Sequence, residues 1–207
     1  MNVSFDMVVI LIQMACVIVV VAQVVTASPF LRLTLLQKGT WRQILVIAIL
    51  FGLLSIYGTY SGLEILGAKI NIRDLGPMIA GLIAGPYAGI GAGLIGGIQR
   101  YSIGGITAIP CSLATILAGL IGGLIYLRSG KRFCGVRTAV CFAILMEGLH
   151  MLMQLSMVQP FSVAYEIVAT SAIPMIVANA LGMAAFSIIV TDYLARMKEK
   201  GASEKGD

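Results

Sequence analysis

One glycine-rich and almost uncharged segment constrains this chain more than any other feature. Residues 76–127 contain 13 of the 24 glycines and a single charged side chain, Arg100. A guanidinium costs about 3 kcal/mol or more at the centre of a bilayer, so it either reaches the interface or serves in a polar cavity. The segment therefore predicts closely packed membrane helices that carry one charge with a specific role.

The composition indicates an integral membrane protein. Of 207 residues, 59% are apolar and 11% are charged, and the mean hydropathy is +0.99. A soluble domain would need more polar surface than this. The first apolar run is longer than a signal-peptide core and has no basic region before it, so we interpret it as a retained span. The net charge of +5 is concentrated at the ends of apolar runs, which favours topology signals over nucleic-acid binding.

Five apolar runs are long enough to cross about 30 Å of hydrocarbon. They cover roughly residues 7–31, 43–61, 109–127, 135–158 and 164–195. Basic residues form three clusters at their ends: Arg32, Lys38 and Arg42; Arg128, Lys131, Arg132 and Arg137; and Arg196, Lys198, Lys200 and Lys205. By the positive-inside rule all three clusters are cytoplasmic. This places the amino terminus outside and the carboxyl terminus in the cytoplasm.

The same charge pattern requires the glycine-rich segment 76–99 to begin and end on the outer side. A straight helix cannot do this, whereas a re-entrant hairpin of two short helices can. Gly85 and Pro86 are the predicted hinge, because proline removes a backbone donor and clashes with the preceding turn. We therefore expect an all-α membrane protein with five full transmembrane helices and one re-entrant helical hairpin.

The hairpin would bring Arg73 and Arg100, which flank it, together on the outer side. The next span begins near Pro110, and a helix amino terminus carries partial positive charge. We therefore predict an anion site there; the simpler alternative is that each arginine contacts lipid headgroups. Further candidate ligand-binding residues follow on the first turns of that span: Cys111, Ser112 and Thr115. The alternative for these hydroxyls is bonding to their own helix backbone.

A polar stripe at membrane depth marks the fourth full span. Glu147, His150 and Gln154 share one helix face, and a structural pairing of the carboxyl with the imidazole is the favoured interpretation. On the last span Pro174 should bend the axis, so that Asn179 bonds near Glu147.

The residue types also exclude several kinds of chemistry. His150 is the only histidine, so we expect no histidine-based metal site, and we expect no cofactor. The four cysteines contain no CxxC pair and are predicted to be structural. No nucleophile with an attendant base is evident, so we predict that this region is not an enzyme.

Several motifs in order resemble a known family. They are Asn-Ile-Arg-Asp-Leu-Gly at 71–76, Ala-Gly-Leu-Ile-Ala-Gly-Pro at 80–86, Arg-Tyr-Ser-Ile-Gly-Gly-Ile-Thr-Ala at 100–108, Gly-Leu-Ile-Gly-Gly at 119–123, Met-Glu-Gly-Leu-His at 146–150 and Pro-Met-Ile-Val-Ala-Asn at 174–179. Together they look like the membrane sensor region of LytS/YehU-type bacterial sensor histidine kinases, over most of residues 1–195.

The resemblance implies a receptor for an extracellular small molecule, with pyruvate or a similar small carboxylate as ligand. It maps the arginine positions of the family to Arg73 and Arg100, and its thiol to Cys111. It also implies a multi-pass protein of the bacterial inner membrane, in contact with lipid, that acts as a homodimer in a two-component system. The relatives continue into a cytoplasmic output domain. We therefore expect residues 1–197 to be one sensor domain and residues 198–207 a polar cytoplasmic tail. Either the sequence is the input part of a longer protein, or a separate kinase or other partner completes the system.

Two other functions remain open at this level. Broken helices and buried polar pairs also occur in transporters, so a substrate-binding subunit or a small carrier for organic anions is an alternative to a receptor. The second alternative is a structural membrane partner without a ligand, in which the outer arginines serve only as lipid anchors.

Overall fold

The computed structural model describes residues 3–35, 40–65 and 68–203, which fold almost entirely into helices. Lys38 and Lys205 of the predicted basic clusters lie outside the described residues. The helices in chain order are α1 (Val3–Ala27), α2 (Pro29–Leu35), α3 (Trp41–Ser61), α4 (Leu75–Ala84), α5 (Pro86–Ile103), α6 (Ala108–Arg128), α7 (Val136–Met157) and α8 (Phe161–Ser203). The predicted all-α class is therefore confirmed, apart from one short ribbon between α3 and α4.

That ribbon was not predicted. Strand β1 (Leu63–Ile65) pairs with β2 (Ala68–Ile70) in an antiparallel register that sets Glu64 opposite Lys69. Three-residue strands are too short for a periodic sequence signal to stand out. The ribbon connects α3 to the start of α4 and so positions Arg73.

Within the described part of the chain, four helices are long and apolar enough to cross a membrane: α3, α6, α7 and, in α8, the portion Phe161–Lys200. They match four of the five predicted spans to within a few residues, except that α8 continues beyond the predicted end at 195. The first predicted span, 7–31, divides into two helices because α2 begins at Pro29, a residue suited to a first helical turn. The apolar part of α1 with described side chains, Cys16–Ala27, is shorter than a span.

Helices α4 and α5 meet at Gly85, whose φ of +85° an L side chain would rarely adopt. Pro86 follows as the first residue of α5, where its missing N–H is not needed. The two helices fold back on each other, so that a side chain added at Gly89 would meet the backbone of Gly81 at 2.8 Å. Residues 73 and 100, at the outer ends of the pair, are thereby brought to the same end of the fold.

Glycines hold this pair against α6 at backbone contact distance. A Cβ atom at Gly81 would lie 2.6 Å from the carbonyl oxygen of Gly119, and one at Gly93 would lie 2.8 Å from the Cα of Ile116. Gly89 faces Gly119 more closely still. The close helix packing predicted from the glycine-rich segment is therefore present at these positions.

Candidate functional site

Arg73 lies on the turn between β2 and α4 and is fully buried. Its Nε donates to Thr115 Oγ1 at 2.7 Å and lies 3.4 Å from Asp74 Oδ1. Both terminal nitrogens, Nη1 and Nη2, are buried without a hydrogen-bond partner. Because a guanidinium is costly to bury with unused donors, this end of Arg73 is suited to an anion.

Arg100 occupies the last turn of α5 and is 1% exposed. Its Nη1 donates to the carbonyl oxygen of Gly104 at 2.7 Å, and its Nη2 donates to Thr107 Oγ1 at 2.8 Å. The side chain thus closes the loop between α5 and α6. Its Nε is buried without a partner, so one donor remains for a further acceptor.

Cys111 lies at the start of α6 with its thiol buried. Its Sγ is 3.3 Å from His150 Nε2 and 3.8 Å from Gln154 Nε2. The guanidinium groups of Arg73 and Arg100 both interact electrostatically with this thiol, and with each other. The structure therefore brings together Arg73, Arg100 and Cys111, which the sequence analysis assigned to one site.

Thr115 lies one turn beyond Cys111 and connects the cluster. Its hydroxyl accepts from Arg73 Nε and shares its single proton between the Cys111 carbonyl oxygen at 2.8 Å and Asp74 Oδ1 at 2.6 Å. The simple backbone bond expected for this hydroxyl is present, together with two side-chain contacts. Ser112 is buried on the same turn, and its hydroxyl has no hydrogen-bond partner.

Asp74 was missed by the sequence analysis. It is 1% exposed and divides its carboxylate between Thr115 on one oxygen and His150 Nδ1, 3.1 Å away, on the other. Burial acts to raise the pKa of Asp74, but Arg73 and His150 lower it below its usual value. An Asp before a helix is a common cap, and that ordinary interpretation hides its role here.

The polar stripe of α7 faces the interior of the protein, as predicted. It consists of Glu147, His150 and Gln154. His150 Nδ1 lies 3.6 Å from Glu147 Oε2, which is longer than its distance to Asp74. Gln154 Nε2 lies 3.0 Å from His150 Nε2. The expected carboxyl–imidazole pair therefore forms part of a larger group that includes Asp74 from another helix start.

Asn179 does not bond near Glu147, so that prediction was wrong. Its Nδ2 donates to the Met175 carbonyl oxygen at 2.9 Å and lies 3.5 Å from the carbonyl oxygen of Asn71. Pro174 stands inside α8 as predicted, but Asn179 faces the turn before Arg73 rather than α7. It supports the loop that carries the arginine and contacts none of the candidate ligand groups.

Comparison with known proteins shows the family to which the chain belongs. A family described as the 5TMR of 5TMR-LYT matches residues 27–193. The sensor histidine kinase BtsS of Escherichia coli K12 is 34% identical over 202 residues, covering 95% of this chain and 36% of the relative. The sensor protein LytS of Bacillus subtilis 168 is 31% identical over 206 residues, covering 91% and 35%.

A third relative, the sensor histidine kinase YpdA of Escherichia coli K12, is 35% identical over 164 residues, covering 78% of this chain and 28% of its own length. The chain thus spans roughly a third of the curated relatives it matches. No solved structure matches. With its helical membrane fold and matching motifs, the chain belongs to the 5TMR-LYT family, the membrane sensor region of LytS-type histidine kinases.

Proposed function

We propose that this region binds an extracellular small carboxylate such as pyruvate and passes the signal to a cytoplasmic output. The observation that carries the proposal is the buried guanidinium of Arg73, whose two terminal nitrogens have no partner. Two parallel N–H donors match a carboxylate in the bidentate geometry that arginine favours. Arg100 and the Cys111 thiol, which interact electrostatically with Arg73, would complete the anion site.

The membrane arrangement in this proposal has five spans and a re-entrant hairpin. α1 would be the fifth span, and α4 and α5 would enter from the outer side and return to it, with the turn at Gly85 buried among protein. Irregular backbone at that depth is tolerated where protein surrounds it, and Gly81 and Gly123 pack there against backbone. The amino terminus would be outside and the carboxyl end of α8 in the cytoplasm.

Helix α8 is the proposed route of the signal. Its 43 residues make a rod of about 64 Å, roughly twice the hydrocarbon thickness. Asn179 on this helix contacts the turn that bears Arg73, so a ligand that moves Arg73 also acts on α8. A ligand can shift this equilibrium only by binding one arrangement better than the other. The output would be a kinase domain, in the same polypeptide or a partner, within a homodimer of the inner membrane. The sensor region itself carries out no catalytic step.

Isothermal titration of the purified protein with pyruvate tests the proposal. Wild type and Arg132→Ala, which removes an exposed arginine, should bind. The double variant Arg73→Ala, Arg100→Ala should lose binding by about 100-fold or more, since two charge-assisted contacts disappear. Undiminished binding by the double variant contradicts the proposed site.

Transport is the second candidate function, favoured by the broken helix pair α4–α5, a device of many carriers. Uptake of labelled pyruvate into proteoliposomes separates the two. A receptor shows binding without uptake, whereas time-dependent accumulation that the double variant lacks establishes a carrier.

A further inference from the structure

A second group of buried side chains lies behind the proposed anion site. Asp74, Glu147 and His150 each offer one ligand atom, and these atoms all lie within 4.8 Å of one another. The three residues are at most 1% exposed. Sequence analysis expected no metal site because the chain has one histidine, but mixed sites of one imidazole and two carboxylates bind divalent metals as well.

Unpartnered atoms point into the space between these three residues. Asp74 Oδ2, both carboxylate oxygens of Glu147 and His150 Nδ1 have no hydrogen-bond partner. His150 Nδ1 lies 3.1 Å from Asp74 Oδ2.

The distances fit a shared cation. Ligand atoms at about 2.1 Å from a metal lie about 3.0 Å apart at a right angle and about 3.4 Å apart at the tetrahedral angle. The observed separations from His150 Nδ1 are 3.1 Å to Asp74 and 3.6 Å to Glu147. The third separation, between the ligand atoms of Asp74 and Glu147, is at most 4.8 Å, so a small adjustment of the side chains brings all three atoms to one ion.

The charges also favour a cation. Arg73 approaches Asp74 at Oδ1 and His150 approaches it at Oδ2, while Arg100 is bonded to Gly104 and Thr107 rather than to a carboxylate. Glu147 is fully buried and neither of its oxygens accepts a hydrogen bond, although His150 Nδ1 lies 3.6 Å from Oε2. A buried carboxylate in this condition needs a proton or a metal to be stable.

We propose that Asp74, Glu147 and His150 bind a divalent transition metal such as Mn²⁺ or Zn²⁺ between α4 and α7. The site is separate from the proposed anion contacts of Arg73 and does not depend on them. The metal joins the start of α4 to α7 and fixes the position of Asp74, which in turn holds Thr115.

A metal on Nδ1 leaves the imidazole proton on Nε2, which faces Cys111 Sγ at 3.3 Å and the Gln154 amide. Metal-bound histidines commonly donate their second N–H to an acceptor. A half-turn of the Gln154 amide would present Oε1, now without a partner, to that proton. The metal site thereby sets the hydrogen bonding of the thiol beside the arginines.

The test uses the full chain, purified with an affinity tag that contains no histidine and treated with a chelator. Titration with Mn²⁺, followed by electron paramagnetic resonance, should show about one bound ion per chain. Glu147→Gln and His150→Gln should weaken binding at least about tenfold. Glu166→Gln, which makes the same chemical change at an exposed position of α8, should bind as wild type does.

A spectroscopic measurement on the wild type keeps the proposal testable if a variant does not fold. His150 is the only histidine, so protein labelled with ¹⁵N-histidine reports on one ring. Zn²⁺ should shift the Nδ1 resonance and place the proton on Nε2. Unchanged resonances, no binding of Mn²⁺ or Zn²⁺ by the wild type, or wild-type Mn²⁺ binding by folded Glu147→Gln each overturn the site. Pyruvate titrations on the same samples report separately on the anion site.

Discussion

Two layers of the same helices differ in what holds them together. The glycine layer consists of Gly81, Gly89, Gly119, Gly122 and Gly123, where α4, α5 and α6 meet backbone to backbone. The polar layer consists of Arg73, Asp74, Arg100, Cys111, Thr115, Glu147 and His150, at the other ends of α4 and α5. The first layer leaves no room for a side chain, and the second contains buried polar atoms without partners.

The comparison separates the cause of the fold from the cause of function. Close backbone contact in the glycine layer fixes the angle of the α4–α5 pair, and that angle delivers Arg73 and Arg100 to one place. The polar layer contributes unsatisfied donors and acceptors, which destabilise the protein without a ligand. Substitutions in the glycine layer should therefore mainly lower the stability of the fold, whereas substitutions in the polar layer should weaken ligand binding.

The largest effect is expected in the glycine layer. Gly89→Ala places a methyl group against the Gly119 carbonyl, where backbone must move, and should destabilise the fold by about 3 kcal/mol. Reversible unfolding in mixed micelles measures this change. Gly148→Ala is the matched control, because nothing lies within 4 Å of that position, and helix propensity should make it neutral or stabilising by up to about 1 kcal/mol. Equal effects at the two positions would remove the distinction between the layers.

The next largest effect is a loss of pyruvate affinity that should differ between the two arginines. Arg73→Lys removes both unpartnered terminal nitrogens and should weaken pyruvate binding by about 100-fold, because one ammonium cannot replace a bidentate fork. Arg100→Lys should cost about tenfold, since both Nη atoms of Arg100 already serve Gly104 and Thr107. Titration calorimetry gives the two values, and the reverse order would assign the main anion contact to Arg100.

Thr115→Val sharpens the link between binding and stability inside the polar layer. It keeps the shape of the side chain but removes the hydroxyl that joins Arg73 to Asp74. We expect a loss of about 1 to 3 kcal/mol in the free energy of unfolding, from two groups left without a partner, and weaker pyruvate binding. Unchanged stability would show that the hydroxyl does not organise this cluster.

The smallest effect is expected outside both layers. Asn179→Leu removes a bond to its own helix and a long contact to the Asn71 carbonyl. Stability should change by no more than about 1 kcal/mol, and pyruvate affinity should stay within about twofold of wild type. A large loss of affinity would place Asn179 in the binding site.

The sequence predicted those parts of the fold that depend on periodicity and hinge chemistry. Apolar length located α3, α6, α7 and α8, and the Gly85–Pro86 pair located the break between α4 and α5. The positions of the basic clusters predicted that Arg73 and Arg100 lie near each other, and in the structure the two guanidinium groups interact electrostatically. Each of these signals depends on neighbouring residues or on the order of charges along the chain, so the sequence alone is enough to recognise it.

The remaining features depend on which helix faces which. Asp74 looks like an ordinary helix cap in sequence, and only its contact with His150 on α7 shows that it is a buried charge. Asn179 was assigned to the wrong neighbour because a proline predicts a bend but not its direction. The β1–β2 ribbon was not predicted, because strands of three residues are too short to show an alternating pattern of apolar and polar residues.

The central claim is that α4 and α5 return to the side from which they start, so that both arginines serve one outer site. One cysteine at a time is introduced at Glu64, Ser102 or Lys131, in a background with Cys16, Cys134 and Cys141 changed to serine, and is tested in intact cells with a membrane-impermeant thiol reagent. The background alone, which keeps the buried Cys111, is the control. The account predicts that positions 64 and 102 react from outside and that position 131 reacts only after permeabilisation. Labelling of 64 and 102 from opposite sides of the membrane would contradict it.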